Sequence, residues 1–155
     1  MIATLMNMHW NKEHKRFEEE RRKHQEQREQ QIALSRITDV DQMSGLEFEE
    51  YLRVLFSKMG YDARTTRASG DFGADVVLTD QEGQLTVVQA KRYSKPVGVK
   101  AVQEVHGAKG FYQAEYAIVV TNSSFTKAAR DLALKLNVRL IDRHELTELG
   151  AQVWD

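Results

Sequence analysis

Gly70-Asp71-Phe72-Gly73-Ala74-Asp75-Val76-Val77-Leu78 and Thr86-Val87-Val88-Gln89-Ala90-Lys91 are apolar runs carrying polar side chains that an ordinary core strand has no use for. Asp75 stands where a glycine-bearing turn enters a β-branched run. Gln89 and Lys91 are two apart, so an extended chain points both to one side of a sheet. Residues 80–83, Asp-Gln-Glu-Gly, have hairpin chemistry, which makes strands over 74–79 and 84–91 antiparallel neighbours. With a stagger of about two residues, Asp75 near the start of one strand comes opposite Gln89 and Lys91 near the end of the other. A carboxylate, an amide and an amine then converge across paired strands, a set suited to a hydrolytic metal site.

Outward from this hairpin the pattern is that of an α/β protein. Residues 43–59 predict an amphipathic helix, with Phe48, Leu52, Leu55, Phe56 and Met59 on one stripe and Gly60 closing it. Glu47 and Glu50 project away from that stripe, whereas Glu49 falls roughly 80° from its centre, on the flank beside Leu52 and Phe56. Residues 61–67 read as a first strand. After the hairpin come a basic segment at 92–96, a helix over 98–112 and a continuous apolar strand over 116–121. A helix over 125–137 buries Phe125, Ala129, Leu132, Ala133 and Leu136; a last strand covers 138–141. Asp142, three residues before Glu145, resembles a capping-box start for a terminal helix. The order α-β-β-β-α-β-α-β-α is an α/β sandwich with a mixed sheet between helices.

The preceding segment differs in kind. Residues 11–31 are nearly all Glu, Gln, Lys, Arg and His, which are good helix formers, with Phe17 the large apolar exception. Glu18 with Arg22 and Glu19 with Lys23 have the i, i+4 order that supports an exposed helix, and no apolar seam for a coiled coil is present. The expected organisation is a polar helical extension and linker over 1–41, a folded domain over 42–150, and a short tail over 151–155.

The 155 residues are 41% apolar and 29% charged, ordinary for a soluble globular protein. The absence of cysteine excludes disulfides and thiolate zinc sites and fits a cytoplasmic location. The five histidines show no close His-x-x-x-His pairing, which argues against a histidine-rich metal site. A net charge of −1 offers no global attraction to nucleic acid, so DNA binding has to rest on a local surface or on metal ions. No apolar run approaches the roughly 18 residues that a membrane span requires.

Hydrolysing a phosphodiester takes charge neutralisation at phosphorus and a hydroxide-like nucleophile, and bound Mg²⁺ can supply both. Hard cations prefer oxygen donors. Asp75 offers a carboxylate, Gln89 an amide oxygen, Ala90 a backbone carbonyl and Glu49 a second carboxylate. Lys91 cannot ligate while protonated, but it can put positive charge where negative charge builds. Singly, each has a bland reading: Asp75 as a strand-start residue, Gln89 and Lys91 as the open side of a half-buried strand, Glu49 as a solvated helix residue. Asp71 reads as a turn residue and ranks below Asp75. The conjunction carries the argument.

In order and spacing, Gly-Leu-Glu-Phe-Glu at 45–49, Gly60-Tyr61, Ser69 to Asp75, and Gln89-Ala90-Lys91-Arg92-Tyr93 resemble the Mrr-like restriction endonuclease domain, a branch of the PD-(D/E)xK nuclease superfamily. The similarity continues through 96–100, Val102-Gln103-Glu104 and Val119-Val120-Thr121-Asn122 to Phe125-Thr126, covering about 43–149. By that resemblance Asp75 is the motif aspartate, Lys91 the motif lysine and Glu49 the helical glutamate. Gln89 takes the place of the second acidic residue, which lowers the expected metal affinity, and Gln103 lies on the helix bordering the site. Arg92 and Asp71 are accessory candidates.

The resemblance implies a Mg²⁺-dependent DNA endonuclease, with Mn²⁺ as a substitute, acting in defence against foreign or modified DNA. It implies DNA as partner, no small-molecule cofactor, and a homodimer as one way to cut both strands. The rival is a non-catalytic nucleic-acid-binding or assembly module of the same fold. Resolution of branched DNA is a second enzymatic option.

Overall fold

In the computed structural model, which describes residues 1–33, 36–66 and 72–154, the two apolar runs pair through the expected hairpin. β2 (Val76–Thr79) and β3 (Leu85–Lys91) are antiparallel, with Val76 opposite Val88 and Thr79 opposite Leu85. β1 (Asp62–Thr65) joins the outer side of β2, also antiparallel. Across β3 the sheet turns parallel, through β4 (Tyr116–Thr121) and β5 (Arg139–Ile141), giving the order β1-β2-β3-β4-β5.

The connections explain the layers. α4 (Val99–Tyr112) links β3 to β4, and α5 (Lys127–Leu136) links β4 to β5. Both crossovers move the same way along the sheet, and right-handed connections then lay both helices on one face. Ala101, Val102, Val105 and Ala108 of α4 and Ala129 and Ala133 of α5 pack there on Val87, Ala117 and Val119. The other face is covered by α3 (Gly45–Lys58) and α6 (Arg143–Trp154). Phe48, Leu52 and Leu55 of α3 are fully buried, each contributing about 1.5–3 kcal/mol of apolar burial.

α3 starts at a capping box. The Glu47 N–H donates to Ser44 Oγ (3.2 Å), and the Ser44 N–H donates to Glu47 Oε2 (2.7 Å). These bonds draw the Glu47 carboxyl below its ordinary pKa. At the other end the reading is corrected. Met59, expected on the buried stripe, is the C-cap residue and exposed, because the helix ends at Lys58 and Gly60 turns the chain away at φ +101°. Tyr51 and Val54 complete the buried face instead.

The segment over 35–41, expected as a linker, carries α2 (Ile37–Val40), with Val40 fully buried. The last residues, expected as a tail, continue α6 as far as Trp154.

Contacts divide the chain into two units, Met1–Leu34 and Ser35–Asp155. The first consists of α1 (Ile2–Ala33), which reaches further toward the N-terminus than its polar composition predicts. Its i, i+4 side-chain contacts run His9–Glu13 (3.3 Å), His14–Glu18 (3.6 Å) and the ion pair Arg22–Glu26 (3.7 Å), in a register different from the expected one. Trp10 and Phe17 stand exposed on it. Among the described residues no helix is long and apolar enough to cross a membrane.

Candidate active site

Asp75 is fixed by its backbone as well as its carboxylate. The regular ladder of β2 begins at Val76; one residue earlier, the Asp75 N–H donates to the Val88 carbonyl (2.8 Å) and the Asp75 carbonyl accepts from the Thr66 N–H (3.1 Å). Asp75 Oδ2 then accepts from the Ala90 N–H at 2.8 Å. The side chain bridges to β3 where the backbone ladder has stopped, and it is buried.

The turn leading to Asp75 is pressed against α4. Gly73 lies at φ +86°, and a Cβ added there would sit 2.3 Å from the Glu104 carbonyl oxygen, so only glycine fits. Neither this contact nor its consequence is visible in the sequence pattern.

On β3, Val87 packs under α4, and the two-residue period turns Gln89 and Lys91 to that same face. Gln89 is buried, and its Oε1 has no hydrogen-bond partner among the described residues. Leaving such an oxygen unpaired costs about 1–3 kcal/mol. Lys91 Nζ lies 3.1 Å from Glu104 Oε2 and 5.9 Å from the centre of the Tyr93 ring. The Lys91 carbonyl accepts from Thr121 Oγ1 (2.6 Å). Burial pulls the Lys91 pKa down. The hydrogen bond and charge of Glu104, helped by Tyr93 and Asp75, more than offset this and raise it above its ordinary value.

Asp75, Ala90, Gln89 and Lys91 therefore meet at one end of the β2–β3 pair, as the sequence predicts. Glu49 is half-buried on α3, in the layer across the sheet from α4. Gln103 is exposed on α4, and its neighbour Glu104 is the α4 side chain that reaches Lys91. The helix phase holds the missed signal: Glu104 is i+3 from buried Ala101 and i−4 from buried Ala108, so it shares their stripe. Asp71 lies outside the described residues.

Arg92 turns away from Lys91. Its Nη1 donates to the Asp41 carbonyl (3.1 Å), while its Nε is buried without a partner among the described residues. Arg143 closes on Asp41 through Nη1–Oδ1 (2.6 Å) and Nη2–Oδ2 (2.9 Å), and Asn122 Nδ2 donates to Asp41 Oδ1 (2.9 Å). Asn122 Oδ1 accepts from the Tyr93 N–H (2.8 Å). The Arg143 hydrogen bond, aided by Asn122 and Arg92, holds the Asp41 carboxyl below the usual range against the opposing effect of burial. This network lines an open cleft of about 810 Å³ at the carboxyl ends of β3, β4 and β5. The cleft meets the Asp75–Lys91 cluster at Arg92 and does not contain it.

Among the described residues no group of three His, Cys, Asp or Glu side chains is placed to hold a metal ion. The oxygen donors here are of mixed type: a carboxylate, an amide and a backbone carbonyl.

The Mrr_cat family model, described as a restriction endonuclease, matches residues 40–150. The chain is 32% identical over 116 residues to the type IV methyl-directed restriction enzyme EcoKMrr of Escherichia coli (strain K12). That alignment takes in 70% of this chain and 38% of the relative, so the chain spans well under half of that protein's length. Among solved structures, AF1548, a protein of unknown function, superposes with a TM-score of 0.54 at 16% identity, over 70% of this chain and 63% of that one. The DNA modification-dependent restriction endonuclease AspBHI gives a TM-score of 0.53 at 19% identity, over 79% of this chain and 34% of its own. At these identities the two structures share a fold with this chain.

Proposed function

This chain belongs to the restriction endonuclease family whose Mrr_cat model spans residues 40–150, and from that premise we propose that it is a divalent-metal-dependent DNA endonuclease acting in restriction. The observation that carries the proposal is the buried Gln89 Oε1, without a hydrogen-bond partner among the described residues, on the strand whose Ala90 N–H holds the Asp75 carboxylate. Unpaired buried acceptors are few in native folds, and one standing beside a carboxylate and an ammonium is placed to take an ion or a water.

That oxygen, the Asp75 carboxylate and the Ala90 carbonyl are donors a hard cation accepts, so these residues fit Mg²⁺ or Mn²⁺. The second carboxylate that the resemblance implies, Glu49, stands on α3 across the sheet and would have to reach round its edge. When bound, the ion supplies Lewis acidity and lowers the pKa of a water.

The protein's own part follows from how its groups are held. Asp75 is anchored at backbone and side chain, so its carboxyl oxygens are held in a fixed position. Lys91, with its pKa raised, stays an ammonium at neutral pH. It acts as a fixed cation toward the scissile phosphate, stabilising charge that grows there, and not as a base. Glu104 aims this ammonium from α4. The reading extends to a homodimer for cutting both strands and to a cytoplasmic setting.

Plasmid cleavage by the purified chain in Mg²⁺, Mn²⁺ and EDTA tests the function. Cutting in either metal and none in EDTA is expected. A shift in DNA mobility with no cutting under any metal would sink the nuclease reading and leave the non-catalytic binding module.

A further inference from the structure

Two phenylalanines beside the site are stacked on each other in the open. Phe72 and Phe111 have ring centroids 4.0 Å apart and planes 16° from parallel, and they are 55% and 58% exposed. Phe72 takes φ +35°, a conformation that a bulky side chain rarely adopts. The strain is spent on turning an aromatic ring outward, where burial gives the fold little in return.

The position of the pair selects an occupant. Phe72 is three residues before Asp75, within about 10 Å along the chain. Phe111 is seven residues after Glu104 on α4, two turns or about 10 Å along the helix. Phe72 therefore stands on the turn that delivers Asp75, and Phe111 two turns along the helix whose Glu104 meets Lys91. The helix surface beside Phe111 is bare: a Cβ added at Gly107 or Gly110 would meet nothing within 4 Å. The charge also suits a polyanion: the one acidic residue of α4, Glu104, is shared between Lys91 (3.1 Å) and Lys100 (3.8 Å), and Lys109 lies closer to Phe111 along the helix.

We propose that the Phe72–Phe111 pair is a stacking platform for a nucleobase of the DNA strand near the cleavage site, extending the two-ring stack by one base. Base–aromatic stacking tolerates any sequence because every base has a π-face. It also gives a protein of net charge −1 a hold on DNA that does not depend on a basic surface. The inference rests on the nuclease reading above.

The test uses the whole chain and an oligonucleotide carrying 2-aminopurine in an unpaired position, with EDTA present to prevent cutting. Wild type is expected to quench the emission. Phe111→Ala is expected to bind about tenfold more weakly, by the same factor at low and high salt, and to lose the quenching, whereas Phe111→Trp restores both. Phe72→Gly separates binding from folding: it relieves the positive φ, so thermal stability holds or rises while binding falls. Equal binding and equal quenching by wild type and Phe111→Ala, with wild-type plasmid cleavage intact, would overturn the platform alone. Wild type that neither binds nor cuts DNA overturns both readings.

Discussion

Two charged clusters sit at the carboxyl end of β3, and they are built in opposite ways. Around Asp41, the guanidinium of Arg143 closes bidentately on the carboxylate, Asn122 adds a donor, and the Asn122 oxygen is itself satisfied by the Tyr93 N–H. Around Lys91, the ammonium meets one carboxylate oxygen of Glu104, and the nearby Gln89 oxygen is buried with no partner among the described residues. A bidentate guanidinium–carboxylate pair fixes both of its partners. A single ammonium–carboxylate contact beside an acceptor oxygen leaves capacity on both sides. It is the acceptor type that separates Gln89 Oε1 from Arg92 Nε, the donor that is likewise buried without a described partner beside Asp41. The first cluster ties α2 and α6 to the strand ends. The second is the cluster proposed above as the reactive site.

The contrast breaks first at Asp75. Asp75→Asn keeps the shape and removes the charge, so metal-dependent cleavage should fall by about 10³-fold or more with the melting temperature nearly unchanged. Lys91→Ala should do the same. Cleavage unchanged in either variant removes that residue from the mechanism.

Gly73→Ala comes next, because its Cβ would fall on the Glu104 carbonyl oxygen at a positive φ. A loss of about 3 kcal/mol in a denaturant titration is expected. A loss under about 1 kcal/mol would mean the turn does not bear on α4 as described.

Asp41→Asn should cost about 1 kcal/mol and leave cleavage within a factor of about two. The folded-state pKa of Asp41 is lowered, so its contribution is full above the unfolded value of 3.8 and disappears as the pH falls through the folded one. Melts in an acid series should show the gap from wild type closing only in that range. A gap that persisted unchanged at the acid end would rule out the charge as its cause.

The smallest effect sharpens the comparison most. Gln89→Leu removes an unpaired buried oxygen and should be neutral or stabilising by up to about 1 kcal/mol. Mn²⁺ is expected to raise the melting temperature of wild type and to leave that of Gln89→Leu unchanged. A destabilised Gln89→Leu that still responds to Mn²⁺ would place the amide among the structural groups.

Much of this was legible beforehand. The hairpin between β2 and β3 followed from Asp80 to Gly83, and the α3 stripe from the spacing of Phe48, Leu52 and Leu55. The pairing of Asp75 with the Gln89–Lys91 run followed from the strand period and a short stagger. By the resemblance Gln103 borders the site; the α4 side chain that meets Lys91 is its neighbour Glu104, on the stripe set by the small residues Ala101 and Ala108, which the resemblance does not single out. Residues 35–41 looked like a linker because what organises them is distant: Asp41 meets Arg143 across 102 positions of sequence.

Turn chemistry and strand alternation act over a few residues, so the sequence alone determined the order of elements and which polar groups share the open end of the β2–β3 pair. The partner of Lys91, the glycine-only contact at Gly73 and the closure around Asp41 were decided by how helices settle on the sheet. Those contacts join residues far apart in sequence, and their spacing and phase come into existence only once the core has packed.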